Sequence, residues 1–397
     1  MCWNHAKILA VDGKHLHTGG HNLKQAPYLN KIPIHDTSIQ LEGKVAIQAH
    51  QYANDQWEFI KAESTLKGRI LLTSERIVRK MCFSDSVLIP MMTRVNFSKW
   101  TMYKANKFAP LFQKDILPAS TTSTQEEEET SNHPDEVKIL SLGRYGNIGG
   151  ENARSSDDAF LAMFGASQSS IRLLLQDLGP VNAIVLGKRV AVHPWPKEYM
   201  KAWGKAMFER GVDVEIVLSN VDAIDSVGTD YSNGWSCEEV AAEIIKAMRE
   251  MYPNASQVEI KKKLVDHLRI CGLKNKRGNE WQTGEKVGLH SKFFIVDDVC
   301  TYIGSQNLYI FDLAEWGVMI DDKKKTAEFM ASLWNPMWSC SYLDGCDCNP
   351  EKVMEILDVD RDPQDEISIL DRDIVAKALN IDVVKSKESK FFIETVE

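Results

Sequence analysis

Late in the chain the sequence reads His290-Ser-Lys292-Phe-Phe-Ile-Val-Asp297, then six residues, then Gly304-Ser305-Gln-Asn307. The start carries the same register: His5-Ala-Lys7-Ile-Leu-Ala-Val-Asp12, six residues, then Gly19-Gly20-His-Asn22. One His-x-Lys would be weak evidence of anything, but here every polar position must be explained twice. In both copies an apolar run of four residues follows the Lys and ends at Asp and a turn, the pattern of a short buried strand. Residues two apart on a strand share a face, so the His and Lys of each copy project into one cavity.

This doubled pattern resembles the HxKxxxxDxxxxxxG(G/S)xN signature of the phospholipase D superfamily, which occurs twice per active site. The resemblance implies a single site to which each copy contributes one of everything. A phosphodiester carries a negative charge that must be screened before a nucleophile approaches. Lys7 and Lys292 supply point charges, and Asn22 and Asn307 amide donors, for its non-bridging oxygens. Gly20 and Ser305, with their neighbouring glycines, bring backbone close to the phosphate. His5 and His290 act as nucleophile and general acid, running two displacements through a phosphohistidine. By analogy with the superfamily's lipases His5 is the nucleophile; the motifs themselves are equivalent and leave the order open. Asp12 and Asp297 complete the catalytic set by orienting the loop and the Lys. Glu315, and more weakly Asp36, are placed to fix an imidazole tautomer. Neither a metal nor a cofactor is expected, because lysines and asparagines carry the charge stabilisation.

Around the second copy the sequence alternates strand and helix. Strands are expected at Lys138–Leu142, Ile171–Asp177, Val212–Leu218 and Glu315–Asp321. Helices are expected from Asp157, at Pro196–Arg210, at Ser236–Tyr252 (with Ser236 and Glu239 as a capping box), at Val258–Cys271 and at Lys325–Trp334. This is an α/β pattern, and the resemblance implies a phospholipase D-like fold: a mixed β-sheet flanked by helices, in two pseudo-equivalent halves. The first half is expected to be incomplete, since His5 is preceded by four residues only. The expected division is 1–65 as a remnant of the first half, with a helix over Gly43–Ser64. An unassigned stretch at 66–118, an acidic low-complexity linker at 119–136, the second half at 137–345 and an acidic tail at 346–397 follow.

The chain has 397 residues, 44% hydrophobic and 26% charged, with a net charge of −9. That composition is globular, and the negative balance argues against a nucleic-acid partner. Lys261-Lys262-Lys263, with Arg269, Lys274, Lys276 and Arg277, is the exception and could meet an anionic membrane near the site entrance, although a solvated helix face is the plainer reading. No transmembrane run and no secretory signal are read; a cytoplasmic or peripheral-membrane location is the expectation. Cys340, Cys346 and Cys348 have a spacing that matches no standard zinc site. The sequence therefore favours a phosphoric diester hydrolase cleaving glycerophospholipids such as phosphatidylcholine to phosphatidic acid at a membrane surface. The alternatives are a nuclease or cardiolipin-synthase-like member of the superfamily, or a truncated lipid- or partner-binding pseudoenzyme.

Overall fold

The computed structural model describes residues 4–22, 26–29, 33–63, 136–145, 155–179, 182–185, 188–191, 197–220, 235–275, 287–308, 313–342 and 348–358. The chain divides into two compact units, one of Met1–Lys7, Thr18–Ile39 and Val137–Glu397, the other of Ile8–His17 and Gln40–Glu136. This interleaves the sequence rather than following a linear division. The expected stretch 66–118, the linker up to 135 and most of the acidic tail lie outside the described residues.

The first unit is built on a seven-stranded sheet. Its strands are β4 (Lys138–Tyr145), β5 (Ser170–Leu175), β8 (Asp213–Leu218), β9 (Leu268–Gly272), β10 (Lys292–Val296), β11 (Cys300–Gly304) and β12 (Ala314–Asp321). They lie in the order β4-β12-β11-β10-β5-β8-β9. Pairing is antiparallel from β4 to β5 and parallel from β5 to β9, so the sheet is mixed. A short hairpin of β6 (Asn182–Val185) and β7 (Lys188–Ala191) stands apart from it.

β10 explains why the second motif is so apolar: all five of its residues are buried. Phe294 and Val296 join one core, with Ile171, Leu173, Val214 and Ile216 of the neighbouring strands. Phe293 and Ile295 join a second core, with Leu174, Val217 and Trp334. A strand covered on both faces reads as a continuous apolar run rather than an alternating one. Helices Ser155–Ala166, Lys197–Lys205, Cys237–Met251, Gln257–His267 and Pro350–Asp358 contribute to the first core. Lys323–Phe329 and Asn335–Ser341, with the π-turn Met330–Trp334 between them, cover the second. Ser236 and Glu239 form the expected capping box. The fold class is thus α/β, a mixed sheet with helices on both faces.

One expectation is corrected. The helix expected over Val258–Cys271 ends at His267, and Leu268–Gly272 is a strand parallel to β8. Its Leu268, Ile270 and Cys271 are buried between the layers, and that burial decides the backbone against local periodicity. The lysine run has partners on its own helix and on its neighbours. Lys261 pairs with Glu351, Lys262 with Asp266, and Lys263 lies over the Phe208 ring. That helix ends in His267, bound to Asp213 at the first residue of β8.

The second unit holds β1 (Ile8–Val11), the start of β2 (His15–Gly19), the end of β3 (Ser38–Glu42) and the helix Lys44–Glu63, which packs on β1. The strands pair in the order β1-β2-β3. Among the described residues no helix is long and apolar enough to cross a membrane.

Candidate active site

The two motifs meet in the first unit through a reciprocal exchange. The backbone N–H of His5 donates to the carbonyl of Ala314, one residue before Glu315, at 2.8 Å. The N–H of His290 donates to the carbonyl of His35, one residue before Asp36, also at 2.8 Å. Each histidine is thereby set beside the acid that follows the other motif. His5 Nδ1 lies 2.9 Å from Glu315 Oε2, and His290 Nδ1 lies 2.8 Å from Asp36 Oδ2. A carboxylate on Nδ1 holds the proton there and leaves Nε2 with the lone pair. The ring centroids are 6.4 Å apart at an interplanar angle of 75°. At that spacing the two imidazoles belong to one site.

The lysines repeat one geometry. Lys7 Nζ donates to the carbonyl of His5 at 2.7 Å, and Lys292 Nζ to that of His290 at 2.6 Å. Lys292 is 1% exposed and also reaches Gln176 Oε1 at 3.4 Å. Burial pushes its ammonium down to about 7, against the pull of Asp36 and with the push of Lys7. Burial likewise lowers both imidazoles, His290 to about 3 with Lys292 adding to the effect, so both rings are neutral near pH 7. Burial alone would raise Glu315 and Asp36, but their histidine partners and the lysines outweigh it and hold both ionised.

The supports of the two acids differ. Ser305 Oγ donates to Glu315 Oε2 at 2.6 Å. The equivalent Gly20 presents no side chain because Asp36 fills the space: a Cβ there would overlap Asp36 Oδ1 and stand 2.9 Å from the His290 carbonyl. Asp36 instead accepts from Tyr28 Oη at 2.9 Å and from the Thr37 N–H at 2.8 Å. Tyr28 Oη in turn accepts from the Asn22 N–H at 2.9 Å, tying the first glycine turn to Asp36. Asn307 is buried at 3% exposure beside Gln306.

The motif aspartates stand elsewhere. Asp297 has φ 54° and its carboxylate accepts from the N–H groups of Gln168, Ser169 and Ser170. It lies five positions beyond Lys292 along β10, roughly 16 Å at about 3.3 Å per residue. Its carboxylate thus anchors the turn that leads into β5. Asp12 has φ 55° at an exposed turn of the second unit, where it acts electrostatically on His50.

Sequence reasoning missed the groups that brace the second motif. Arg144, Tyr199 and Gln306 all donate to Asp157, and all four side chains are buried. Gln306 occupies an unspecified position of the motif, and Asp157 reads from sequence only as a helix opener. Gln176 had a signal: a polar residue closing the apolar run of β5. Replacing Arg144 by Met is expected to cost about 3–5 kcal/mol, because Asp157 keeps its charge in the core without a cation. Denaturant unfolding of the purified variant measures it. Among the described residues no group of three or more His, Cys, Asp or Glu could hold a metal.

Two uncharged imidazoles backed by carboxylates, between two lysines, can bind a phosphoryl group and pass it from one oxygen to another. Against known proteins, no family model matches the chain. It is 22% identical over 360 residues to a curated phospholipase D of Streptomyces antibioticus, covering 86% of this chain. That match supports membership of the phospholipase D superfamily. The chain spans 59% of that relative's length. Among solved structures it is similar to a phosphatidylserine synthase of Haemophilus influenzae Rd KW20, with 11% identity, 91% of this chain, 69% of that one and a TM-score of 0.44. It is also similar to Nuc, a phospholipase D family member from Salmonella typhimurium, with 18% identity, 52% of this chain, 97% of that one and a TM-score of 0.30.

Proposed function

We propose that the chain is a phospholipase D-type phosphodiesterase that cleaves the head-group ester of a glycerophospholipid such as phosphatidylcholine, giving phosphatidic acid and a free alcohol. The observation that carries this is the crossed pairing of His5 with Glu315 and His290 with Asp36, rings 6.4 Å apart. The lipid follows from the likeness to the curated phospholipase D, and the negative net charge of −9 disfavours a polyanionic substrate.

In the first step Nε2 of His5 attacks phosphorus and the bond to the head-group oxygen breaks. The leaving oxygen takes a proton from the imidazolium of His290. In the second step neutral His290 removes a proton from water, whose oxygen attacks phosphorus and breaks the P–N bond. An alcohol in place of water gives transphosphatidylation. Lys7, Lys292, Asn22 and Asn307 hold the non-bridging oxygens throughout, and Glu315 supports the positive charge of the substituted imidazole.

The test is choline release from phosphatidylcholine vesicles beside cleavage of bis-p-nitrophenyl phosphate. Release of both products supports the proposal. Cleavage of the nitrophenyl ester without choline removes the lipid assignment, and a folded chain that cleaves neither removes the enzyme.

A further inference from the structure

The two imidazoles sit in a cluster whose charges cancel. Among the described residues, the charged groups acting on them are Lys7, Lys292, Asp36 and Glu315. Arg144, which also acts on Glu315, is neutralised by Asp157. His21 and His35 flank Asp36, with burial keeping His35 neutral, and Tyr28 and Gln176 are uncharged. The side chains of Asp36 and Glu315 are 0% exposed, that of His290 is 5% exposed and that of His5, the most open of the four, is 18% exposed.

A monoanion entering this cluster would leave one uncompensated negative charge in a buried site, an arrangement that costs several kcal/mol unless it is paired. The neutral groups able to accept a proton beside it are His5 and His290. One proton on that pair restores neutrality, with Nδ1–H still held by a carboxylate and the new N–H aimed at the anion. A second proton would leave a net positive charge and remove the nucleophile.

We propose that binding of a monoanionic phosphodiester draws one proton from solvent onto the His5–His290 pair, so that the substrate arms its own general acid. The proton belongs to the pair rather than to one ring until chemistry begins. This rests on the phosphodiesterase reading and adds a rule of selection: a dianionic phosphomonoester would require both imidazoles to be protonated, which disarms the site.

The probe is dimethylphosphinate, a monoanion with two non-bridging oxygens and no ester bond to cleave. Calorimetric titration in buffers of different ionisation enthalpy counts protons taken up, between about pH 5.5 and 6.5, where the reference imidazole titrates. Lys292, at about 7, is cationic at the lower end of that window but partly neutral at its upper end, so the count that decides is the one at about pH 5.5. The expected result is one proton per anion and an affinity that falls tenfold per pH unit. In the His5→Asn/His290→Asn double variant the anion is expected to bind at least tenfold more weakly, or undetectably, and without proton uptake. Binding to the parent with no proton taken up overturns the proposal, as does full uptake in the double variant. If the parent cleaves bis-p-nitrophenyl phosphate yet shows no uptake, this inference alone falls; if it neither cleaves nor binds, the phosphodiesterase reading falls with it.

Discussion

His290→Ala is expected to lower turnover of phosphatidylcholine by about 10⁴-fold or more while the chain remains folded. The loss is large because the ring serves both steps, first as proton donor and then as proton acceptor, each typically contributing 10²–10⁴-fold. The fold survives because Asp36 keeps two of its donors, Tyr28 Oη and the Thr37 N–H. His5→Ala is expected to fall to the same floor. Residues acting as one unit are grossly non-additive, so the double variant should be no slower than either single one. Steady-state kinetics with melting curves check all three, and multiplicative losses would mean that the two histidines do not share a site.

The second large effect is in pH dependence. Lys292, pushed down to about 7 by burial, loses its charge as pH rises through that value. A neutral amine cannot stabilise the transferring phosphoryl group, so log kcat/KM should bend downward near pH 7 by one extra unit per pH unit. Bound phosphate favours the ammonium, so the corresponding bend in kcat should come at higher pH. Lys292→Arg should abolish the bend, since guanidinium stays charged, at a lower plateau because its fork does not reproduce a point charge. Stability should move the other way. A lysine lowered from 10.5 to about 7 on folding leaves the folded state with fewer protons across that interval. Its contribution to unfolding free energy therefore rises with pH between those values. Activity falling while this stability term rises distinguishes titration of Lys292 from alkaline unfolding; an unbent profile in the parent would contradict the assignment.

Much of the fold around the second motif was legible because β10, β5 and β8 are covered on both faces and so read as unbroken apolar runs. β2 and β3, His15-Leu-His-Thr-Gly19 and Ser38-Ile-Gln-Leu-Glu42, were not, since their apolar positions are too few to set a period. β9 was hidden because it follows a helix without a breaker, and only pairing with β8 makes it a strand. In the candidate site, the repeated spacing named the histidines and lysines, and the resemblance it carries implied both acids. It could not say that Glu315 serves His5 and Asp36 serves His290, because that crossing is made by contacts more than 250 residues apart in the chain. The asymmetry of support, Ser305 on one side and Tyr28 on the other, was equally invisible. Tyr28 belongs to no motif and reaches Asp36 only through the local fold.

The most direct test of the account is to trap the covalent intermediate. Enzyme mixed with phosphatidylcholine, quenched in alkali within one turnover and analysed by intact and peptide mass spectrometry, should carry one phosphatidyl group on His5. The adduct should vanish in His5→Ala. Product formed at full rate with no histidine adduct in the first turnover, or an adduct that persists in His5→Ala, would contradict it.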